Sequence, residues 1–310
     1  MRTTAVLHRY RAFGLAVHSG LELSELQPAP DGADEAPDVL IRVADLTRAW
    51  SELPDQSHLQ VRGGEVFYYI PGAAIYRIRG GREIAVSPFA GADPGLVRLY
   101  LLGSCMGALL LQRRMLPLHG SALDAGGKAF AIVGPSGAGK STLAAALAAR
   151  GCRLLSDDIS PVRFRPEDGA PLAVPSYPQQ KLWRDSLQRL GVDASGARSI
   201  YAESDKFAVP VSAEFGDRPV PIGDIFEIVP SPENVPPAAE PVEGLNKLPV
   251  VAAHTYRNYL IPALQLQEWH FSAAARLCGK VRVHRLVRPA GRFTAEELAS
   301  LVLGMVRKGA

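Results

Sequence analysis

The chain has 310 residues, 34 Lys and Arg against 31 Asp and Glu, a net charge of +3 and 47% hydrophobic residues. That size suits one large or two modest domains with a sizeable buried core. The composition is that of a soluble globular protein, and so small a net charge does not mark a general nucleic-acid binder.

The charge is uneven, with eight Lys and Arg against two Glu from Arg276 to Ala310. Such an end suits either a solvated basic surface or an acidic or phosphate-bearing partner. Cys105, Cys152 and Cys278 are odd in number and far apart, which fits neither a zinc site nor a disulfide framework. A reducing, cytoplasmic setting is expected. Residues 1–10 lack an uninterrupted apolar run, so no signal peptide is expected.

Residues 1–92 read as a β-rich domain. Gly63-Gly64 separates Leu59–Arg62 from Val66–Ile70, and Gly80-Gly81 separates Ile75–Ile78 from Ile84–Val86. A glycine pair supplies the positive φ angles of a tight hairpin. The stretch from Pro28 to Pro37 reads as a loop. Residues 93–116 read as a connecting helix that packs between the two larger parts. Asp93 is its N-cap and Pro94 its first residue, and it runs to about Arg114. Its most apolar run, Leu101–Leu111, is too short to span a bilayer and reads as buried.

Residues 117–310 carry the motifs. Gly126-Gly127 makes a hairpin that leads straight into Gly134-Pro135-Ser136-Gly137-Ala138-Gly139-Lys140-Ser141, a full G-x-x-x-x-G-K-S. Ala129–Val133 before it reads as a strand, and Thr142–Arg150 after it as a helix closed by Gly151. Glycines let backbone N–H groups converge on phosphate oxygens, and the helix N-terminus adds positive potential. Lys140 is placed to neutralise phosphate charge, Ser141 to hold Mg²⁺, and Thr142 extends the turn.

Leu154-Leu155-Ser156 then runs as a strand into Asp157-Asp158. An acid at this place in a P-loop protein holds the metal, and two adjacent acids on an extended chain point apart. One serves Mg²⁺ while the other accepts the nucleophile's proton. His119 stands at the start of the hairpin that feeds the loop. Further along, Pro166–Pro178 and Pro230–Pro241 read as loops, Ile222–Val229 and Val281–Leu286 as strands. Thr294 and Glu297 form a capping box for the last helix. Lys181, Lys206 and Arg257 are candidate phosphate or acidic-substrate contacts, each with a surface charge as the alternative. Trp183, Trp269 and Tyr256 are better read as core than as pocket.

Together, Leu118-His119-Gly120, the phosphate loop and the strand ending in Asp157-Asp158 resemble the HPr kinase/phosphorylase family. The resemblance implies an α/β fold with an HPr-kinase/phosphoenolpyruvate-carboxykinase-like P-loop core and a β-rich N-terminal domain. It implies ATP and Mg²⁺ as cofactors, Asp157 as the metal-linked acid, Asp158 as the general base, and His119 beside the transferred phosphoryl group. It also implies a homo-oligomer.

The family's Arg-Gly-Leu-Gly-type segment, tied to phosphorolysis, is not found. In its region stands Tyr177–Gly191. Lys181-Leu182-Trp183, Lys206-Phe207 and His254–Arg257 are instead similar to HPr-kinase-related proteins that include lasso-peptide precursor kinases. The expected function is an ATP/Mg²⁺-dependent serine kinase acting on a peptide or small protein, without nucleic-acid or membrane partners. A small-molecule kinase and a nucleotide sensor without transfer are the alternatives. A transport ATPase is set aside, because no Leu-Ser-Gly-Gly-Gln segment occurs.

Overall fold

Alternating apolar residues punctuated by glycine pairs fold into hairpins, and the N-terminal third is built from them. The computed structural model describes residues 7–30, 36–54, 57–192, 196–201, 204–211, 215–232 and 234–308. Of the expected loop from Pro28 to Pro37, residues 31–35 lie outside the described residues. The first strands are β1 (His8–Ala12), β2 (Leu15–Ser19), β3 (Gln27–Pro28) and β4 (Val39–Val43). After a short helix α1 (Thr47–Ser51) come β5 (Leu59–Arg62), β6 (Glu65–Ile70), β7 (Ala74–Arg79) and β8 (Glu83–Pro88). They form one eight-stranded sheet in the order β3-β1-β2-β4-β8-β7-β6-β5.

A long helical segment follows, capped as expected: the Asp93 carboxylate accepts from the Gly95 N–H at 2.7 Å. It comprises α2 (Pro94–Tyr100), a π-helical turn over Leu101–Cys105, and α3 (Met106–Gln112). The segment is therefore 19 residues, long and apolar enough by composition to cross a membrane, where the run Leu101–Leu111 alone looked too short. Some 67% of that apolar window is buried within the protein. Leu101, Met106, Leu109 and Leu110 join Phe13, Ile41, Tyr76 and Ile84 of the first sheet in one hydrophobic cluster. Ile159, Tyr177, Tyr256 and Leu260 enter the same cluster from further along the chain.

The second large sheet holds β9 (Leu116–Asp124), β10 (Ala129–Val133), β11 (Arg153–Ser156), β12 (Ile159–Phe164) and β13 (Pro171–Ala173). A separate three-stranded sheet, order β14-β16-β15, is made by β14 (Gln179–Trp183), β15 (Arg198–Ser199) and β16 (Lys206–Pro210). The large sheet is completed by β17 (Val220–Ser231), β18 (Ala238–Val242) and β19 (Arg282–Pro289). The helices of this half are α4 (Lys140–Ala148), α5 (Arg184–Leu190), α6 (Lys247–Ala253), α7 (Leu260–Ala263), α8 (Gln267–Cys278) and α9 (Ala295–Lys308).

Strand β10 is buried along its whole length, the pattern of a strand covered on both faces. It pairs antiparallel with β9 and parallel with β17, which pairs parallel with β19. The long strands β9 and β17 also reach β12 and β13, so β10, β9, β12, β13 and β17 close into a ring. Phe130 stands edge-on to Phe226, ring centres 5.9 Å apart, and both are fully buried. Truncating either costs about 3–5 kcal/mol by the usual scale for buried aromatics.

Three local expectations need correction. The stretch Pro230–Pro241 is not a plain loop, because β17 extends to Ser231 and β18 begins at Ala238. Part of Pro166–Pro178 is the short strand β13. The Thr294–Glu297 capping box does not form: Thr294 Oγ1 is buried without a hydrogen-bond partner, and Glu297 pairs instead with Arg292.

Candidate active site

Residues 134–141, the expected phosphate loop, sit where β10 turns into α4. Gly139 caps that helix with φ of 96°, a left-handed conformation that a side chain rarely tolerates. A second glycine, Gly120 on β9, is fixed by crowding. A Cβ there would stand 2.0 Å from the Ile132 carbonyl oxygen, so the two strands beneath the loop approach as closely as backbones allow.

Around the loop lies a cavity of about 660 Å³. Ser136 to Thr142 line it, with His119, Asp157, Asp158, Lys181 and Lys206. Gly134 and Pro135 do not reach the cavity. Their carbonyls accept hydrogen bonds from Lys140 Nζ at 2.9 and 3.0 Å. Burial lowers the Lys140 ammonium below its usual value, although Asp158 and Asp157 pull the other way.

Asp157 directly follows β11 and is buried, with three donors on its two oxygens. Oδ1 accepts from Ser121 Oγ at 2.6 Å and from Ser141 Oγ at 3.0 Å, and Oδ2 accepts from the Lys181 backbone N–H at 2.9 Å. Asp158 has φ of 72°, so the backbone reverses and the two carboxylates diverge. Its Oδ2 meets Lys181 Nζ at 2.8 Å, while Oδ1 stands 3.7 Å from His119 Nε2. Burial pushes the Asp158 carboxyl up, but the charge and hydrogen bond of Lys181 outweigh it and hold the group well below the usual carboxylate range. The same pair holds Lys181 above its ordinary value against burial.

His119 stands edge-on to Tyr256, ring centres 5.3 Å apart. Burial, aided by the Lys140 charge, lowers its imidazole from 6.5 to about 4, so it is neutral near pH 7. At 3.7 Å from Asp158 it is too far away for a direct hydrogen bond.

Lys181 is therefore a buried partner of Asp158 rather than a surface charge. Lys206 pairs across β14 and β16 with Trp183, its ammonium 5.8 Å from the indole ring. Trp183 is 53% exposed and lines the cavity, where core packing was expected. Tyr256 is buried as expected, and Trp269 is partly buried against the first cluster. Arg257 does not line the cavity. Its Nη2 donates to Ser104 Oγ at 2.8 Å, which ties it to the π-helical turn, and Tyr256 and Tyr259 stand beside its guanidinium.

Two residues that sequence reasoning passed over belong here. Ser121, an ordinary strand serine in the sequence, shares Asp157 with Ser141. Arg288, at the end of β19, reaches back so that Nη1 donates to the Ala138 carbonyl at 3.1 Å. The parallel register of β10, β17 and β19 brings it there, and no local motif announces it.

No family model matches the chain, and no curated protein matches it. Among solved structures, the chain is similar to the Hpr(Ser) kinase/phosphatase from Coxiella burnetii, with 15% identity over 62% of this chain and 91% of that one, and a TM-score of 0.33.

Proposed function

We propose that this chain is an ATP- and Mg²⁺-dependent serine kinase that phosphorylates a peptide or small protein. One observation carries the reading: Asp157 is bonded to the P-loop serine Ser141, while its neighbour Asp158 turns away to Lys181 and His119.

The donor set fits a magnesium nucleotide. Ser141 Oγ and Asp157 Oδ1 are hard oxygens 3.0 Å apart. When bound, the magnesium nucleotide supplies the transferable phosphoryl group and a divalent charge beside it. Lys140 has its ammonium at the mouth of the loop and exchanges carbonyl bonds for phosphate oxygens. Arg288 adds a second cation beside Ala138.

Asp158 stays ionised at neutral pH. It accepts a hydrogen bond from the substrate hydroxyl, orients it, and takes the proton as the bond to phosphorus forms. Phosphoryl transfer runs through a loose transition state, so a weak base suffices and positioning does most of the work. His119, being neutral, offers a hydrogen bond opposite Asp158 without adding charge.

A peptide acceptor follows from the resemblance to HPr kinases and, in the finer form, to lasso-peptide precursor kinases. A second cavity of about 590 Å³ supports it. Glu25, Arg98, Ile200 and Tyr201 line that cavity, and Lys181 borders both. In this reading residues 1–92 and the helix after them form one wall of the acceptor site, and residues 117–310 the kinase unit.

The test is transfer from γ-labelled ATP with Mg²⁺ to serine-containing peptides, with HPr as comparison and mass spectrometry to locate the phosphate. Label on a peptide serine is expected, lost in Lys140→Ala and cut about 10²–10⁴-fold in Asp158→Asn. Turnover of a hydroxylated metabolite with no labelled peptide would instead make this a small-molecule kinase.

A further inference from the structure

The cavity is larger than the phosphate loop requires. At about 660 Å³ it has the volume of a pocket that encloses a whole drug-sized ligand. The order of strands divides it. Asp157 directly follows β11, and β11-β9-β10 places that acid two strands to one side of the loop strand. On the other side β10-β17-β19 places Arg288 two strands away. Strands lie about 4.8 Å apart, so each side extends about 10 Å from β10. The acids, Lys181 and His119 occupy the first side. The ends of the parallel strands β10, β17 and β19, where ligands of open α/β sheets bind, open toward the second.

That second side is built, and beyond Arg288 nothing described so far uses it. Arg288 borders the loop, and beyond it Phe293 and Thr294 line the cavity ahead of α9. Gln188 of α5 lines it opposite. The two walls meet where the Arg189 guanidinium lies 5.6 Å from the centre of the Phe293 ring. Thr294 is 2% exposed and its hydroxyl has no partner in the protein. A buried hydroxyl left unpaired is costly, and helix capping, the role its sequence suggested, is not what it performs. An aromatic ring, an unpaired hydroxyl and an amide side chain are what a nucleoside needs for stacking and hydrogen bonding.

We infer that Phe293, Thr294 and Gln188 form the subsite for the base and ribose of the donor nucleotide, with Arg288 between it and the phosphate loop. The inference rests on the nucleotide reading above and extends it to the part of the ligand that a P-loop does not read. Phe293 supplies a stacking surface, and Thr294 and Gln188 supply hydrogen bonds.

The experiment compares calorimetric binding of Mg·ATP and of Mg·tripolyphosphate to the full chain and to three variants. Phe293→Ala should weaken ATP about tenfold or more, from the usual worth of a base–aromatic stack. Thr294→Val should weaken ATP several-fold. Neither should change tripolyphosphate binding by more than about twofold, which also shows that the variants fold. Lys140→Ala should weaken both ligands. Equal loss of both ligands in Phe293→Ala and Thr294→Val, or ATP binding no tighter than tripolyphosphate in the parent chain, would overturn the subsite and leave the phosphate-loop reading standing. Failure of the parent chain to bind either ligand would sink both.

Discussion

Replacing Lys181 by Met tests how the candidate base is held. Met keeps the unbranched apolar stem and removes the ammonium, and the Lys181 backbone bond to Asp157 is untouched. The side chains of Lys181 and Asp158 are 9% and 25% exposed. Removing one partner of a buried ion pair costs about 3–5 kcal/mol, because the remaining charge is stranded. The partial exposure of Asp158 puts the expected loss at the lower end, about 3 kcal/mol.

The loss has a pH signature. In the parent chain the Asp158 carboxyl is depressed below its unfolded value of 3.8. Its contribution is therefore fully present above about pH 4 and fades as the pH falls through the folded value. Without Lys181 burial dominates, the folded value rises above the unfolded one, and the sign reverses. The gap between parent and Lys181→Met should then narrow in acid. Urea unfolding at pH 7 and near pH 4, with Asp158→Asn and the double variant completing a cycle, measures both effects. A loss below about 0.5 kcal/mol at pH 7, or single effects that add within about 0.5 kcal/mol, would show that the pair is not coupled.

Two further outcomes are expected. Gly120→Ala must push β9 from β10, because the new Cβ meets the Ile132 carbonyl at 2.0 Å. It should cost about 3 kcal/mol or more in urea unfolding, and a change under about 0.5 kcal/mol would refute the close approach. Because the His119 imidazole is lowered to about 4, its charging belongs to the acid limb well below pH 6. Profiles of kcat/KM should show no break near 6.5 that disappears in His119→Gln. Such a break would mean that His119 titrates at its ordinary value.

The elements with local signatures were legible in the sequence. Glycine pairs announce their hairpins, Asp93-Pro94 announces its helix, and the phosphate loop declares its own strand and helix. The two aspartates were legible as a pair because a strand has to end there. What escaped depends on long-range register. Lys181 stood out only as a candidate phosphate or substrate contact, and its pairing with Asp158 appears once β14 lays it there. Arg288 reaches the loop through two parallel pairings. Ser121 shares Asp157 because β9 lies beside β11. Sequence spacing also misled. Thr294 and Glu297 have the capping-box interval, yet Glu297 pairs with Arg292 and the Thr294 hydroxyl is left buried without a partner. Trp183 was expected in the core because it is large and apolar, whereas it ends β14 exposed, after three buried residues that finish with Leu182.

The closed ring of β9, β10, β12, β13 and β17 has a mechanical consequence. A strand in a ring cannot slide past a neighbour without breaking ladder bonds on both flanks. The separation between the phosphate loop and the start of β12, where Asp158 sits, is therefore a fixed length of the scaffold. Lys181, Trp183 and Lys206 ride on another sheet, β14-β16-β15, which shares no ladder with the ring. Adjustment of the site to different occupants thus falls to three cations and rings on a small platform, while the acids and the loop keep time like the fixed jaw of a vice. Amide exchange should divide along that line, with β9 and β10 slowest and β15 and β16 fastest.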